Sequence, residues 1–413
     1  MLLCKSFDGD QQSLWDHQSE LALAGQVDIS RQSIHERFTP EAVKFIKALL
    51  AEQITASNVP LPMLSSFSGV FLHDSTRFKL PDHLKELYKG PSGDGGAAGC
   101  SIQCCYDLRN HCFKELSINA MVDNDSSYAT SNSWITPCSL VLRDLGYFSI
   151  TGLKQIEQKD AFYISKVSPR TQFYDLDNTQ VPLARIVDYM DKYQLDQFEK
   201  QMLITTAHKH PVRVIFRRVS QQLYEKRIRA RSRKNHYAGS KLSKDYTAWS
   251  KLIVLVTNVA SHTLSADQVL STYRLRWQIE LVFKTWKSHY KLHKTKKMKQ
   301  ERIECYIYSM LLLVTVHWKV YRWLQQVVME KRLYISLYKL TKYLRQISPQ
   351  FNQSVVYHRS SISTFISEAF EGKRIQTFTK ESRKGKLSYS DIIESFLVNY
   401  DSNTESSAAL LTT

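Results

Sequence analysis

The sequence predicts an α/β fold, and three observations carry that prediction. Short apolar runs before Asp74 and Asp144 indicate buried strands. A helical pattern of polar and apolar side chains covers the segment Tyr273–Lys287. Residues 10–60 and 303–345 have apolar positions at helical spacing. We therefore expect a strand-rich core between helical N- and C-terminal regions.

The N-terminal region, residues 1–66, is predicted to be helical. Ser30 is expected to cap a short helix that presents Arg31 and Gln32, two side chains able to hydrogen-bond the edges of DNA bases. Thr39 and the following proline predict the start of another helix. The pattern resembles a helix-turn-helix, a DNA-binding motif, and a plain helical hairpin is the alternative.

Residues 67–160 contain the two aspartates, Asp74 and Asp144. Each follows an apolar run and precedes small or turn-forming residues. This arrangement is typical of strands that deliver side chains to the carboxyl edge of a sheet. The alternative is that both are ordinary turn aspartates, since Asp commonly follows a strand.

Residues 161–250 are predicted to be a β-rich insertion, with strands near Phe162 and from Val212 onward. The segment Lys226–Lys234 has six cations in nine residues. Such a run either binds phosphates or forms a solvated, mobile loop. The candidate DNA-binding residues in it are Arg229, Arg231 and Arg233.

The segment Tyr273–Lys287 carries a polar stripe. If the segment is one helix, the stripe is about 80° wide. Its members are Tyr273, Arg276, Glu280, Lys284 and Lys287. A carboxylate among phosphate-binding side chains is typical of an enzyme that holds a metal ion against a nucleic acid backbone. A solvated helix face with ion pairs four residues apart is the alternative.

Composition agrees with a polyanionic partner, because 56 Lys and Arg residues against 39 Asp and Glu residues give a formal charge of +17. No signal peptide is predicted, and the most apolar stretch, Tyr306–Val316, is too short to span a bilayer. The glycine-rich segment 89–99 lacks the Lys-Ser or Lys-Thr of a nucleotide-binding loop, so nothing indicates nucleotide hydrolysis.

Four of the seven cysteines cluster between Cys100 and Cys112. Their spacing contains no Cys-x2-Cys pair, and Cys100 and Cys104 alternate along a predicted strand. We expect core packing, with a zinc site as the alternative. The absence of a paired framework fits a reducing cytoplasm.

The spacing Tyr-x2-Arg-x3-Glu-x6-Lys from Tyr273 resembles the hallmark of DDE transposases of the insertion-sequence-four group. Asp74-Ser75-Thr76 and Asp144-Leu145-Gly146-Tyr147 are similar to the contexts of that group's two aspartates. The resemblance covers roughly residues 20–345. It implies a ribonuclease-H-like catalytic core in residues 67–160 and 251–300, interrupted by the β-rich insertion and followed by a helical C-terminal region, residues 301–413, with a disordered tail.

The resemblance also implies a mechanism. Asp74, Asp144 and Glu280 would be the catalytic residues and would bind two Mg²⁺ or Mn²⁺ ions. The phosphate-binding residues would be Tyr273, Arg276, Lys284 and Lys287. The partners would be double-stranded DNA, as terminal inverted repeats and as target, and a second copy of the chain, in a bacterial cytoplasm and without a membrane.

One departure from the family concerns a tryptophan that some relatives place at the start of the last core strand to stack a flipped base. Leu252 stands there in this chain, with Trp249 nearby, so the base-stacking role is in doubt. Two other functions stay open on the sequence alone. One is a metal-dependent nuclease, and the other is a domesticated protein that binds DNA without cutting it.

Overall fold

The computed structural model describes residues 13–379, apart from 26–27, 55–63, 92–96, 110–111, 123–131, 206, 208, 238–242, 330–332, 357–363, 365–367 and 372–373. The chain forms two compact units. Unit 1 contains Met1–Met63, Ser75–Asp123 and Trp277–Thr413. Unit 2 contains Leu64–Asp74 and Asn124–Arg276. The predicted disordered tail, residues 402–413, and the middle of the glycine-rich segment lie outside the described residues.

Strands occupy the central part of the described chain. They are β1 (Val70–Lys79), β2 (Gly99–Asp107), β3 (Cys112–Ala120), β4 (Leu140–Arg143), β5 (Phe162–Lys166), β6 (Phe173–Tyr174), β7 (Gln197–Ile204), β8 (His210–Arg218) and β9 (Leu252–Thr257).

Helices flank and connect these strands. They are α1 (Leu14–Gly25), α2 (Arg31–Glu36), α3 (Pro40–Ile54), α4 (Ile150–Glu157), α5 (Leu183–Lys192), α6 (Gln221–Tyr237), α7 (Lys244–Ser250), α8 (Ala266–Arg274), α9 (Trp277–Ser288), α10 (Gln300–Met329), α11 (Leu337–Val356) and α12 (Arg374–Thr377). The α/β class and the helical flanking regions are therefore confirmed.

Unit 2 is built on a sheet in the order β1-β4-β5-β9-β8-β7-β6. The first three strands are parallel neighbours, and α4 connects β4 to β5. The remaining strands pair in antiparallel fashion. Such a connection between parallel strands needs a crossover helix, and it leaves the carboxyl ends of β1, β4 and β5 on one edge. These connections are consistent with the ribonuclease-H-like core that the resemblance implies.

Unit 1 joins the second half of β1 to the hairpin of β2 and β3, in the order β3-β2-β1. Every residue of β2 is buried, including Cys100, Cys104 and Cys105, and Cys112 is buried at the start of β3. Burial raises the pKa of the Cys100 and Cys112 thiols. These cysteines therefore serve as small apolar groups of the core, as expected.

Helix α10 is long and apolar enough to cross a membrane by length and composition, over Gln300–Val328 with mean hydropathy 1.2. However, 78% of its most apolar window is buried inside the protein. That burial is what a core helix of unit 1 requires. Helices α10 and α11 confirm the long helices predicted for residues 303–345.

The predicted boundaries of the β-rich insertion stay a prediction, but the structure places its elements. β5 pairs in parallel with β4, so Phe162–Lys166 belongs to the same parallel set as the strands that precede the two aspartates. After β5 the elements follow in the order β6, α5, β7, β8, α6 and α7. The segment 161–250 is thus mixed α/β rather than purely β-rich.

Candidate active site

Asp74 and Asp144 lie side by side in unit 2. β1 and β4 are parallel, and the last pair in register is His73 with Arg143. The next residues are Asp74, which is still within β1, and Asp144, which directly follows β4 in an extended conformation. Since side chains alternate between the faces of a strand, both carboxylates leave the sheet on the face opposite to His73 and Arg143. The pairing of β1 with β4 therefore places the two aspartates next to each other.

The strand end predicted at Asp74 is wrong. β1 continues to Lys79, so Asp74 is in the middle of a ten-residue strand. Thr76 and Phe78 are buried at alternate positions beyond it, and this period of two sustains the strand. Asp144 does follow the end of β4. It precedes a single 3₁₀ turn, Leu145–Tyr147, but its side chain makes no capping hydrogen bond to that turn.

Arg276 joins the two carboxylates. Its Nη1 donates to Oδ2 of Asp74 at 3.0 Å, and its Nε is 3.9 Å from Oδ1 of Asp144. The side chains of Arg276 and Asp74 are 9% and 18% exposed, whereas that of Asp144 is 40% exposed. Because burial weakens solvent screening, the guanidinium and Asp74 form the tighter pair. Asp144 is the carboxylate more open to a substrate.

Tyr273 completes the contacts of Asp144. The buried phenol donates to Oδ1 of Asp144 at 3.3 Å and lies 3.2 Å from the carbonyl oxygen of Arg143. Burial and the neighbouring Asp144 carboxylate raise the pKa of Tyr273. The hydroxyl therefore stays protonated at physiological pH and acts as a hydrogen-bond donor.

The prediction of one continuous helix from Tyr273 to Lys287 is wrong. α8 ends at Arg274 and α9 begins at Trp277. Between them the amides of Leu275 and Arg276 bond to carbonyls three residues back, at 3.0 and 3.1 Å. These are tighter 3₁₀-type bonds, so the spacing of 100° per residue does not hold across the junction.

Helix α9 belongs to unit 1 and carries the remaining residues of the stripe. Glu280 is half-buried in its first turn, and Lys284 is exposed. Lys287 donates to the carbonyl oxygen of Arg77 in β1 at 3.2 Å, and burial lowers the pKa of its ammonium. Lys287 is thus tied to a strand.

The apolar side of α9 is as predicted. Ile279, Val282, Phe283 and Trp286 are all buried. The rings of Phe283 and Trp286 lie 5.3 Å apart, and that of Trp286 lies 6.0 Å from Phe113 of β3. Aromatic packing of this kind fixes the rotation of the helix about its axis.

The carboxylates suit a hard divalent cation. Asp74 and Asp144 together offer oxygen ligands, the type that Mg²⁺ and Mn²⁺ prefer, and they already share one cationic partner. Within the part of the chain that the structure describes, no three His, Cys, Asp or Glu side chains form a group that could hold a metal ion. The structure therefore brings two of the three predicted ligands together and places Glu280 on α9.

A buried layer behind the aspartates was missed by the sequence analysis. The Arg143 guanidinium is 3% exposed, donates to Oδ1 of Asn132 at 2.5 Å and lies 5.7 Å from the Trp134 ring. His73 is fully buried between Trp134 and Tyr147, with centroid distances of 5.3 and 4.4 Å. Burial, with the Arg143 charge as a second cause, holds the pKa of His73 well below its usual range.

A sequence signal for this layer existed. His73 and Arg143 are polar residues inside apolar runs, each directly before an aspartate. Alternation along a strand assigns such a residue to the face opposite its neighbour. A polar residue next to each candidate ligand therefore indicates a polar layer on the other face of the sheet.

The N-terminal DNA-recognition candidates are on α2. Ser30 caps this helix by accepting from the amide of Ser33 at 3.1 Å, which confirms the predicted cap. Arg31 and Gln32 are exposed, and the Gln32 amide donates to Glu36 at 2.8 Å. Whether this segment acts as a helix-turn-helix or a plain hairpin stays open.

The basic run is helical, so the mobile-loop alternative is wrong for residues 226–234. The run belongs to α6. Arg227 joins this helix to the junction between α7 and β9. That guanidinium donates to the carbonyl oxygens of Ser250 and Leu252 at 3.1 and 2.7 Å, and lies 5.3 Å from the Trp249 ring. Trp249 therefore packs on an arginine near the start of β9.

The three arginines predicted to bind DNA differ in their surroundings on α6. Arg229 is 73% exposed and pairs with Glu225 at 3.1 Å, and Arg233 is exposed. Arg231 lies 5.1 Å from the ring of Tyr246. Arg229 and Arg233 lie about one helical turn apart on the outward side of the helix.

Comparisons with known proteins agree with the sequence and the geometry. A family model described as "Transposase DDE domain" matches residues 65–316. The chain is 30% identical over 324 residues to the transposase for insertion sequence element IS231B of Bacillus thuringiensis subsp. berliner, covering 72% of this chain and 67% of the relative. It is 30% identical over 339 residues to the IS231E transposase of subsp. finitimus, covering 75% and 70%.

A solved structure shows a weaker likeness. It is the cryo-EM structure of a piggyBac transposase synaptic complex with hairpin DNA, with a TM-score of 0.45 and 11% identity, covering 94% of this chain and 76% of that one.

Proposed function

This chain belongs to the transposase DDE-domain family and is a DNA transposase that cuts and joins DNA, and we propose that Asp74, Asp144 and Glu280 are its catalytic carboxylates. The observation that carries the proposal is the cluster formed by Asp74, Arg276 and Asp144. Such a cluster of opposite charges, half-open on the Asp144 side, suits the binding of a cation and a phosphate together.

Enzymes of this family use divalent metal ions. In this chain, two Mg²⁺ or Mn²⁺ ions would be held by Asp74, Asp144 and Glu280. Bound there, they would supply an activated water or DNA 3′-hydroxyl and stabilise the leaving oxygen. Tyr273 orients Asp144 through its hydroxyl, which its burial keeps protonated.

We assign Tyr273, Arg276, Lys284 and Lys287 to the phosphates near the cut. Arg276 is the residue best placed for this, because its guanidinium is already held beside both aspartates. Its planar fork suits bidentate contact with a phosphate, and one cation can be shared between carboxylate and phosphate. Lys287, held by the β1 backbone, supplies a positioned point charge.

DNA contacts farther from the cut are assigned to two helices. Arg31 and Gln32 on α2 would read base edges at the element's end, and exposure makes both available for that role. Arg229, Arg231 and Arg233 on α6 would neutralise phosphates without regard to sequence.

The last part of the proposal concerns the DNA substrates, the oligomeric state and the cellular compartment. DNA is the partner, and we propose that terminal inverted repeats and target DNA are both bound, by a homodimer that pairs two ends. The curated relatives are bacterial, and we propose that this chain acts on DNA in a bacterial cytoplasm, without a membrane.

The test is a joining assay. Purified protein is incubated with the DNA that flanks its coding region, a supercoiled target plasmid and Mg²⁺. We expect cut ends and target-joined products, both lost with EDTA and both lost in an Asp74→Asn, Asp144→Asn double variant. Cutting without any joined product would favour the metal-dependent nuclease. Binding without cutting would favour the domesticated protein.

A further inference from the structure

Lys166 occupies a fixed position next to Asp144. The last pair in register between β4 and β5 is Arg143 with Ser165. The next residues are Asp144, directly after β4, and Lys166, the last residue of β5. On its other side Lys166 pairs with Leu255 of β9. Lys166 is the last residue of β5, and its pairing with β9 fixes the position of its backbone.

The Lys166 side chain points to the aspartates' side of unit 2. Its ammonium is 5.4 Å from the ring centroid of Tyr273, whose hydroxyl donates to Asp144. The guanidinium of Arg276 is 5.9 Å from the same ring. Two cations therefore share one aromatic ring beside the two carboxylates.

The chemistry of the two cations differs. Arg276 contacts Asp74 directly, whereas Lys166 lies beside the ring of Tyr273, whose hydroxyl donates to Asp144. Arg276 is the cation in contact with the proposed metal ligands, so a second cation beside the Tyr273 ring suits a neighbouring phosphate of the same strand. A lysine ammonium is a compact point charge with three donors, as phosphate binding requires.

We propose that Lys166 binds a backbone phosphate next to the one that is cut, and so fixes the register of the DNA strand at Asp144. The inference rests on the proposed function of the Asp74 and Asp144 site. It adds a DNA-binding residue on β5, a strand to which the sequence motifs assign no role. The competing explanation is that Lys166 only packs on Tyr273.

The experiment measures binding, so it does not depend on turnover. Duplexes of the element's end carry a neutral methylphosphonate at one position at a time, and affinity is measured with Ca²⁺ in place of Mg²⁺. The variant is Lys166→Met, which keeps an apolar stem over Tyr273. Lys154→Met is the matched control, because Lys154 is an exposed lysine of unit 2 on α4. Lys166→Arg tests rescue by charge.

With wild-type protein, neutralising one phosphate beside the cut should lower affinity about tenfold, as for a charge-assisted hydrogen bond. Lys166→Met should lose sensitivity at that phosphate alone, and its salt slope should be shallower by about one unit. Lys166→Arg should keep most of the sensitivity. Lys154→Met should match the wild type.

Two results would overturn the inference. One is an identical methylphosphonate profile in the wild type and Lys166→Met. The other is a loss spread evenly over all phosphates together with a lower melting temperature, which indicates packing. If the wild type cuts and joins DNA while either of these results is found, only the proposed role of Lys166 is refuted. If the wild type neither binds nor cuts its flanking DNA, the proposed function is refuted as well.

Discussion

The strand-held aspartates and the helix-held glutamate are fixed in different ways. Asp74 and Asp144 are placed by the register of β1 and β4, and each accepts a hydrogen bond from a side chain of the same unit. Glu280 is placed by the rotation of α9, which its buried aromatic residues determine. A sheet register sets two side chains relative to each other directly, whereas a helix sets only which side of itself a residue occupies.

The two parts of the proposed active site also differ in the contacts that surround them. The aspartates have a buried polar layer behind them, with Arg143, Asn132 and Trp134 in contact. On α9, Lys287 donates to the carbonyl oxygen of Arg77 in β1, and Lys284 is exposed. We therefore expect changes in the buried layer behind the aspartates to lower the stability of the fold, and a change at Lys284 to leave it intact.

The largest expected effect is on the rate of DNA cleavage. Variants of the two aspartates and of the glutamate on α9 should lose this activity to the same extent. Asp74→Asn, Asp144→Asn and Glu280→Gln should each lower the cleavage rate by about a thousandfold or more, since a metal-ligand charge supplies several kcal/mol in the transition state. Affinity for DNA should change little, because phosphate contacts dominate it. Gel-based cleavage and filter binding measure the two quantities.

Asp188→Asn, an exposed aspartate on α5, is the matched control and should cleave normally. If Glu280→Gln cleaved at a near-normal rate while both aspartate variants were inactive, α9 would lose its assigned role in metal binding.

The next effect is on stability and should separate the two regions. Arg143→Ala leaves the buried Asn132 oxygen without its donor and removes packing on Trp134, so we expect a loss of about 2–4 kcal/mol in the free energy of unfolding. Lys284→Ala, on the exposed side of α9, should change it by less than about 0.5 kcal/mol. Urea unfolding of both variants makes the comparison, and equal losses would contradict it.

The third prediction sets α2 against α6 in DNA recognition. Arg31→Ala with Gln32→Ala should narrow the gap between the cognate end and random DNA by about 1–3 kcal/mol, since each side chain can make a base-specific pair. Arg229→Ala with Arg233→Ala should weaken both affinities together and keep the gap. Titrations at one fixed salt concentration measure this. The reverse pattern would make α2 part of a structural hairpin.

The fourth prediction concerns the loss of folding stability at low pH that the buried His73 of β1 causes. Burial keeps His73 neutral, so its pKa is lower in the folded chain than in the unfolded chain, where it is about 6.5. The unfolded chain therefore takes up a proton first as the pH falls. Stability is full above that value and should fall by up to about 1.4 kcal/mol per pH unit below it.

His73→Phe should remove that part of the acid sensitivity, whereas His262→Gln, at an exposed position, should not. Urea midpoints at pH 7.5 and 5.5 test this, and equal pH dependence in the wild type and His73→Phe would refute it. His317, a buried histidine of unit 1 whose pKa burial lowers to about 3, should add its own acid sensitivity, which His73→Phe leaves intact.

The smallest expected effect is on the salt dependence of DNA binding. Arg276→Ala and Lys287→Ala should each make the slope shallower by about one unit, because each removes one phosphate contact. Far-ultraviolet circular dichroism should stay unchanged in the Lys287 variant, since Ala is a good helix former. An unchanged slope in both variants would favour the solvated-face interpretation of the stripe.

Local rules explain which predictions succeeded. The Ser30 cap, the strand β9 and the buried side of α9 depend on neighbours within a few residues, so spacing and residue type sufficed. The end of β1 was predicted wrongly because Ser75 and Thr76 suit a turn as well as a strand. In the structure, Thr76 and Phe78 are buried, and their burial favours the strand.

The motif spacing by itself determined the family and the residue types needed for the chemistry, because spacing along the chain is what a sequence records. The tertiary structure alone decided that Arg276 bonds to Asp74, that α8 and α9 are separate helices, and that Lys166 stands beside Asp144. These contacts join residues far apart in sequence through the pairing of β1, β4 and β5. The alternation of residues along each strand indicates which face a side chain takes. Which strands pair depends on packing between segments that are far apart in the chain.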